Sequence, residues 1–470
     1  MAGFFLETWV HDLIRKTASQ DAEYSKHLDV IKSRDITRED IDAFQLVALR
    51  QVMSHAYSNS TFYRKLFDKN GIKPEKITTP SDFAQVPFTM PAYLREEPYK
   101  VLSAPLGDIA RLFTFDTSGT TGRPKKVFFT QSELDNITDF MGAAIKSVVL
   151  SAGIQQDDYV VQVQLPDGAP TSQAGLLSTG IRKIGATPSQ VELMATIEAK
   201  IENIIKVNPV MLFSPTPSTY RMTQLANQKY NLKDMGLKII FVTSFHVSQA
   251  MREQMENIWG VKVYVHYGMT EMGLAGAIEC QAHDGFHFNE TDFLFEIIDP
   301  ETGKVLENEQ EGELVLTTLS RRGMPLIRYR TGDISTLTDK PCSCGVTTLK
   351  RIGKVVRKLS SIVKIGADDT IDPITFDNII YRFTGVIDYE VVLTNVEGKE
   401  HLTFQLETID NIKVTEDEVA RALMAHPLIQ KNVTNGSIDN ITAEMVPVGG
   451  LQRTGRAKKL IRDHRTAAIQ

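Results

Sequence analysis

The sequence predicts an α/β protein with a large N-terminal domain and a small C-terminal α+β domain. The large domain combines parallel β-sheets and crossover helices with an antiparallel β region. Three observations predict this. Residues 158–267 alternate short apolar, β-rich runs with amphipathic helical stretches, the pattern of a parallel sheet with crossover helices. After about residue 285 the strands are joined by turns such as Pro300-Glu301-Thr302-Gly303, which marks antiparallel β. A last block combines a hairpin-like stretch with a capped helix, and its roughly 110 residues suffice for a domain. The domains are placed at 1–355 and 356–470, by pattern, since no Gly/Ser-rich linker marks the junction.

The first hundred residues read as mostly helical. "MAGFFLETWVHDLIRK" has Glu7 and Asp12 inside its apolar stretch and no basic leader, so it predicts an amphipathic helix and not a signal peptide. Thr37 is the expected N-cap of "REDIDAFQLVALRQVMSHAY". Further on, "DYVVQVQL", "VMLFSP", "LKIIFVTS" and "VKVYVHYG" read as strands, and "VELMATIEAKIENIIKVNP" as a helix ended by Asn208-Pro209. "YEVVLTNVEGKEHLTFQLE" predicts a hairpin and "TEDEVARALMAH" a capped helix.

At 42% apolar and 23% charged residues, the 470-residue chain has the composition of a soluble globular protein. Its net charge of −6 argues against nucleic acid as the main partner. No apolar run reaches the roughly 18 residues of a membrane span. Three cysteines make no disulfide framework and predict a cytoplasmic location. The sequence leaves the oligomeric state open, a homodimer included.

The stretch "FTFDTSGTTGRPKKVFFT", residues 113–130, carries the first chemical signal. Its glycines stand three apart and Pro124 precedes Lys125, so it is not a P-loop, which needs Gly-x-x-x-x-Gly-Lys running into a helix. Two readings remain: an anion nest of backbone N–H groups and hydroxyls beside Lys125, or a polar hairpin between "LFTF" and "KVFF".

Two further motifs follow in order, "YGMTE" at 267–271 and "RYRTGD" at 328–333. With Ser-Gly-Thr-Thr-Gly-x-Pro-Lys they resemble the adenylate-forming superfamily of acyl-CoA synthetases, adenylation domains and luciferases. "STFYRKLFDKNGI", "VPFTMPAYLRE", "GFHFNE" and "MPLIRYRTGD" are similar to its phenylacetate–CoA ligase-like branch, and the likeness spans nearly the whole chain.

The resemblance implies a two-step reaction. A carboxylate attacks the α-phosphate of ATP to give an acyl-adenylate and pyrophosphate, and the thiol of coenzyme A then displaces AMP. It implies that Ser118, Gly119, Thr120, Thr121, Gly122 and Lys125 surround the β- and γ-phosphates and that Thr270 contacts the α-phosphate. Glu271 would hold Mg²⁺, Tyr267 would pack on adenine, and Asp333 would accept the ribose hydroxyls. Gly268 and Met269 share the Tyr267 motif, and Ser244 lies in the "FVTSFHVS" segment lining the adenine and acyl pockets. A turning of the C-terminal domain between half-reactions is also implied.

Three departures bear on function. Arg357 takes the place of the arginine in the branch's Gly-Arg-x-Asp-Asp junction, with Lys354 as the alternative, while Leu359 and Ser360 stand where acids are usual. In "RTGRAKK", Arg456 occupies the position of the family's catalytic lysine, with Lys458 and Lys459 beside it; a planar fork is a poor replacement for a point charge. At 241–248, Phe245 and His246 replace a Glu-Pro pair, and "PTSQAGLLSTG" replaces an aromatic, glycine-rich stretch, so the acyl pocket is rebuilt. His246 and His266 are candidate polar groups of that pocket.

Cys280, Cys342 and Cys344 with either His287 or His283 make a Cys₃His set, the closed tetrahedral type of a structural zinc. Some members of the branch carry a metal at matching positions. The resulting expectation is an ATP-dependent acid–thiol ligase acting on a small, aromatic-type carboxylic acid. The alternatives are an adenylating enzyme with another acceptor, or a nucleotide-binding relative with weakened adenylation.

Overall fold

A computed structural model describes residues 4–28, 35–115, 124–156, 158–166, 170–410, 413–451 and 461–465. The fold is mixed α/β with a large parallel and mixed sheet and a C-terminal α+β region. The chain divides into two compact units, one of residues 1–190 and 264–356, the other of 191–263 and 357–470.

In the first unit the helix Phe5–Gln20 buries Leu6, Val10, Ile14 and Ala18, one face at the helical repeat. Its Trp9 meets Phe140 of the helix Gln131–Ser151 edge-on at 6.3 Å. Glu7 Oε1 accepts from Thr347 N at 2.9 Å, Thr348 N at 2.7 Å and the Thr348 hydroxyl at 2.7 Å. The next long helix, Arg38–Asn59, starts at the expected Thr37, which forms a capping box with Asp40.

The strands Ile109–Phe115 and Lys125–Thr130 pair antiparallel, with Phe115 opposite Lys125. The strands flanking the glycine–threonine loop therefore form a hairpin, while 116–123, on which the choice of an anion nest rests, lie outside the described residues. Val160–Val163 pairs parallel with Thr187–Gln190 across the helix Gln173–Lys183. That helix approaches Gln131–Ser151 at Gly142 and Gly180, where a Cβ on Gly142 would stand 2.9 Å from the Gly180 carbonyl. Antiparallel pairing begins earlier than the sequence suggests. The strand Lys262–Tyr267 is joined by Ala277–Glu279, Phe286–Phe288, Arg351–Ile352 and Leu337–Thr338 in turn. A second antiparallel sheet orders Phe293–Ile298, Gly312–Thr318 and Tyr329–Ser335.

In the second unit, Met211–Pro215 and Ile239–Thr243 are parallel neighbours buried over nearly their whole length, as expected of strands covered on both faces. The helix expected from residue 191 starts only at Ile197, because Thr196 caps it by accepting from Ala199 N. The hairpin Val386–Val396 and Lys399–Thr408 turns at Glu397 and Gly398, with φ 52° and 85°. Such left-handed pairs match the twist of a two-residue hairpin. Ile438–Val446 and Ile461–Asp463 add parallel strands on its two sides. Helix Glu416–Met424 carries the expected cap, a box between Thr415 and Glu418. Tyr381 joins this part to 191–263, its ring 4.9 Å from Tyr220 and its carbonyl 2.7 Å from Gln254 Nε2. Among the described residues no helix is long and apolar enough to cross a membrane.

Candidate active site

Three segments far apart in sequence meet in the first unit. Lys125 opens its strand, Glu271 lies in the single-turn helix Thr270–Met272, and Tyr329 opens the strand Tyr329–Ser335. Lys125 Nζ donates to Glu271 Oε1 and lies 3.3 Å from the Tyr329 hydroxyl, which itself donates to Glu271 Oε1 at 2.6 Å. The Glu271 side chain is 3% exposed and that of Lys125 14%. Burial alone would raise the Glu271 carboxyl, but the Lys125 ammonium and the hydrogen bonds from Lys125 and Tyr329 outweigh it. The carboxyl is held below its ordinary range. Burial and the Glu271 charge push Tyr329 far up, so it stays a neutral donor. Both side-chain bonds fall on Oε1.

Beside this group, Tyr267 donates its hydroxyl to Asp333 Oδ2 at 2.8 Å, which fixes the plane of its ring. Asp333 is buried and reached through a left-handed Gly332, φ 70°, whose N–H donates to Glu313 Oε1 at 3.0 Å. Glu313 also accepts from Arg330 Nε at 2.9 Å. Arg328, itself left-handed at φ 48°, donates to the carbonyls of Ala84 and Val86 at 2.6 and 2.8 Å.

The His266 ring holds this turn together. It is buried, its Nε2 lies 2.9 Å from the Leu274 carbonyl, and burial lowers its pKa to about 4. A Cβ on Gly268 would stand 2.8 Å from this ring, and one on Gly276 would stand 2.1 Å from the Tyr267 carbonyl. The small residues thus let the segment fold back, bringing extended Met269 and half-buried Thr270 to the Glu271 turn. Buried Arg321 donates to the Glu271 carbonyl and stacks 4.4 Å over Phe129 of the Lys125 strand.

The remaining expected residues lie elsewhere. Ser244 is in the second unit, exposed and left-handed at φ 78°, directly after the strand Ile239–Thr243. The Thr216 hydroxyl secures that turn on the carbonyls of Thr243 and Phe245 at 3.3 and 3.2 Å, and His246 beside it is half-buried. Arg357, also in the second unit, pairs with Asp372 at 3.6 Å. Ser118, Gly119, Thr120, Thr121, Gly122 and Arg456, with Lys458 and Lys459, lie outside the described residues.

Cys280, His287, Cys342 and Cys344 form a buried cluster whose ligand atoms all lie within 4.8 Å of one another. Cys280 and Cys342 sulfurs are 3.7 Å apart, and Cys344 Sγ is 3.5 Å from His287 Nε2. A tetrahedron with Zn–S bonds of about 2.3 Å and a Zn–N bond of about 2.05 Å has edges of about 3.8 and 3.5 Å. Donor set and spacing therefore fit a closed metal site. His287 completes the cluster; His283 turns its Nδ1 toward Glu279 at 3.2 Å.

Tyr329 and Arg321 were not singled out from the sequence. The signal for Tyr329 was present: a strand period of two puts it on one face with Thr331 and Asp333. Arg321 carries no such signal, because its partners, the Glu271 turn and Phe129, are remote in sequence.

The fold and the motif geometry define a nucleotide-activating type of α/β enzyme, and comparison with known proteins agrees. The chain belongs to the AMP-binding enzyme family, matched over residues 45–320. It is 33% identical to the phenylacetate–coenzyme A ligase of Aromatoleum evansii over 305 residues, covering 64% of this chain and 67% of that one. The Escherichia coli (strain K12) phenylacetate–coenzyme A ligase is 30% identical over 317 residues, 66% of this chain and 70% of its own. A solved structure of 2-hydroxyisobutyryl-CoA ligase, in the postadenylation state with 2-HIB-AMP, superposes with a TM-score of 0.77. It covers 91% of this chain and 90% of that chain at 20% identity.

Proposed function

We propose that this chain is an AMP-forming acyl-CoA ligase that activates a small carboxylic acid, of aromatic type, through an acyl-adenylate. The observation carrying this reading is the convergence of Lys125, Glu271 and Tyr329, with Tyr267 and Asp333 alongside. Attack on the α-phosphate spreads negative charge over phosphate oxygens, and fixed cations and donors stabilise it without reorganising. In this reading Lys125 and residues 118–122 receive the β- and γ-phosphates and Thr270 the α-phosphate. Tyr267, with Gly268 and Met269, borders adenine, and Asp333 accepts the ribose hydroxyls. Glu271, kept ionised by its neighbours, would hold Mg²⁺, which supplies charge neutralisation on the phosphates when bound. The body at 1–355 and a C-terminal domain at 356–470 that turns at Arg357 belong to the same reading. Zinc in the Cys280, His287, Cys342, Cys344 cluster would be structural, since four protein ligands leave no open position.

The test is ATP–pyrophosphate exchange over a panel of carboxylic acids, then product mass with and without coenzyme A. Exchange with at least one acid and a thioester only with coenzyme A is expected. Measurable ATP binding without exchange for any acid would instead support the nucleotide-binding alternative, which Arg456 in the lysine position favours. Exchange without a coenzyme A product would point to another acceptor.

A further inference from the structure

Arg95 stands on the short helix Tyr93–Glu96, which packs against the strand that begins with Lys125. The helix is anchored on either side of it. Leu94 is fully buried, and the Tyr93 ring lies 4.6 Å from Phe62. The Arg95 side chain is half-buried, and its Nε is shut off from solvent with no hydrogen-bond partner. Three other arginines of the same unit are paired, whereas Arg111, half-buried with a likewise unpartnered Nε, lies over the Phe113 ring. Arg38 meets Glu290 at 2.7 Å, Arg328 meets Glu296 at 3.0 Å, and Arg330 meets Glu313. Among the described residues no carboxylate within ion-pair distance answers Arg95. Its charge is nevertheless felt at the Tyr329 phenol, which places it in electrostatic reach of the Lys125–Glu271–Tyr329 group.

Within that group Lys125 is already paired with Glu271, so Arg95 brings a second cation with no acid of its own among the described residues. A guanidinium without an acceptor, held rigid at such a place, suits an anion with several charges and paired oxygens. A single carboxylate would already be answered by Lys125 alone. We propose that Arg95 is a further substrate-binding residue, its guanidinium forking onto the pyrophosphate end of the nucleotide beside Lys125. This rests on the adenylating reading given above.

Calorimetry with magnesium pyrophosphate, ATP and AMP separately, on wild type, Arg95→Ala and Arg95→Lys, tests it. Arg95→Ala should lower pyrophosphate and ATP affinity roughly 10- to 100-fold, the range of a lost charged hydrogen bond. AMP affinity should stay within about twofold. Arg95→Lys keeps the charge without the fork and should lose about 3- to 10-fold. The melting temperature of Arg95→Ala should not fall, because no protein acceptor loses its donor; a purely structural arginine would lower it. Unchanged pyrophosphate affinity, an equal loss for AMP, or a lowered melting temperature with the affinity loss would each overturn the assignment. Wild type that binds neither ATP nor pyrophosphate would overturn the adenylating reading itself, and Arg95 with it.

Discussion

Replacing Lys125 by Met is expected to destabilise the protein through Glu271 more than through anything lysine itself contributes. Glu271 is a nearly unexposed carboxylate that Lys125 and Tyr329 together keep ionised. Removing the cation leaves a buried charge without a counter-ion, and breaking such a pair costs about 3–5 kcal/mol. In Lys125→Met with Glu271→Gln no charge is left stranded, so the double variant should recover at least about 2 kcal/mol of that loss. The pH dependence changes sign. In wild type the folded carboxyl titrates below 4.5, so its contribution is complete above 4.5 and is lost as pH falls through the depressed value. In Lys125→Met, burial is no longer offset and raises the carboxyl, so falling pH neutralises the stranded charge and restores stability. Urea unfolding of the two variants and wild type from about pH 3 to pH 7 measures both effects. A Lys125→Met cost under about 1 kcal/mol at neutral pH, or slopes of the same sign in both proteins, would refute the buried-pair account.

Two further outcomes are expected. Purified protein should contain about one zinc per chain, and Cys344→Ser should lose it along with about 4 kcal/mol or more of stability; metal analysis and urea unfolding check this, and protein without stoichiometric metal sinks it. Gly276→Ala should cost more than Gly268→Ala, above about 3 kcal/mol against about 1–3. Its Cβ meets the Tyr267 carbonyl at 2.1 Å, whereas that of Gly268 meets a His266 ring atom at 2.8 Å. Equal costs would mean that the backbone of the turn moves freely.

Much of the fold was legible because its signals are local. Thr37 and Thr415 cap their helices where the sequence places them, since a capping box needs only four residues. Glu397-Gly398 turns the hairpin for the same reason. The helix from 191 was misjudged by six residues: the apolar spacing continues through "VELMAT", but the Thr196 cap decides the start. Within the site, motif order points to Lys125, Glu271 and Asp333. What sequence reading could not supply is pairing across the fold, such as Arg321 on the Glu271 carbonyl or His266 as a brace. The choice of His287 over His283 likewise depends on the backbone, since His283 sits at φ 50° in the turn and faces Glu279.

The Glu7 contacts have a consequence for how the chain is made. Glu7 and Thr348 are separated by 341 positions. At a synthesis rate of roughly 5–20 residues per second, the three donors for Glu7 emerge roughly 20–70 s after it does. Trp9 can rest on Phe140 well before that, so the helix Phe5–Gln20 docks first by its apolar face. Its polar latch must wait for the loop that also carries Cys342 and Cys344. A helix made early in this unit is therefore locked by one of the last-made parts of it, and a nascent chain halted before that loop would hold the helix by its apolar face alone.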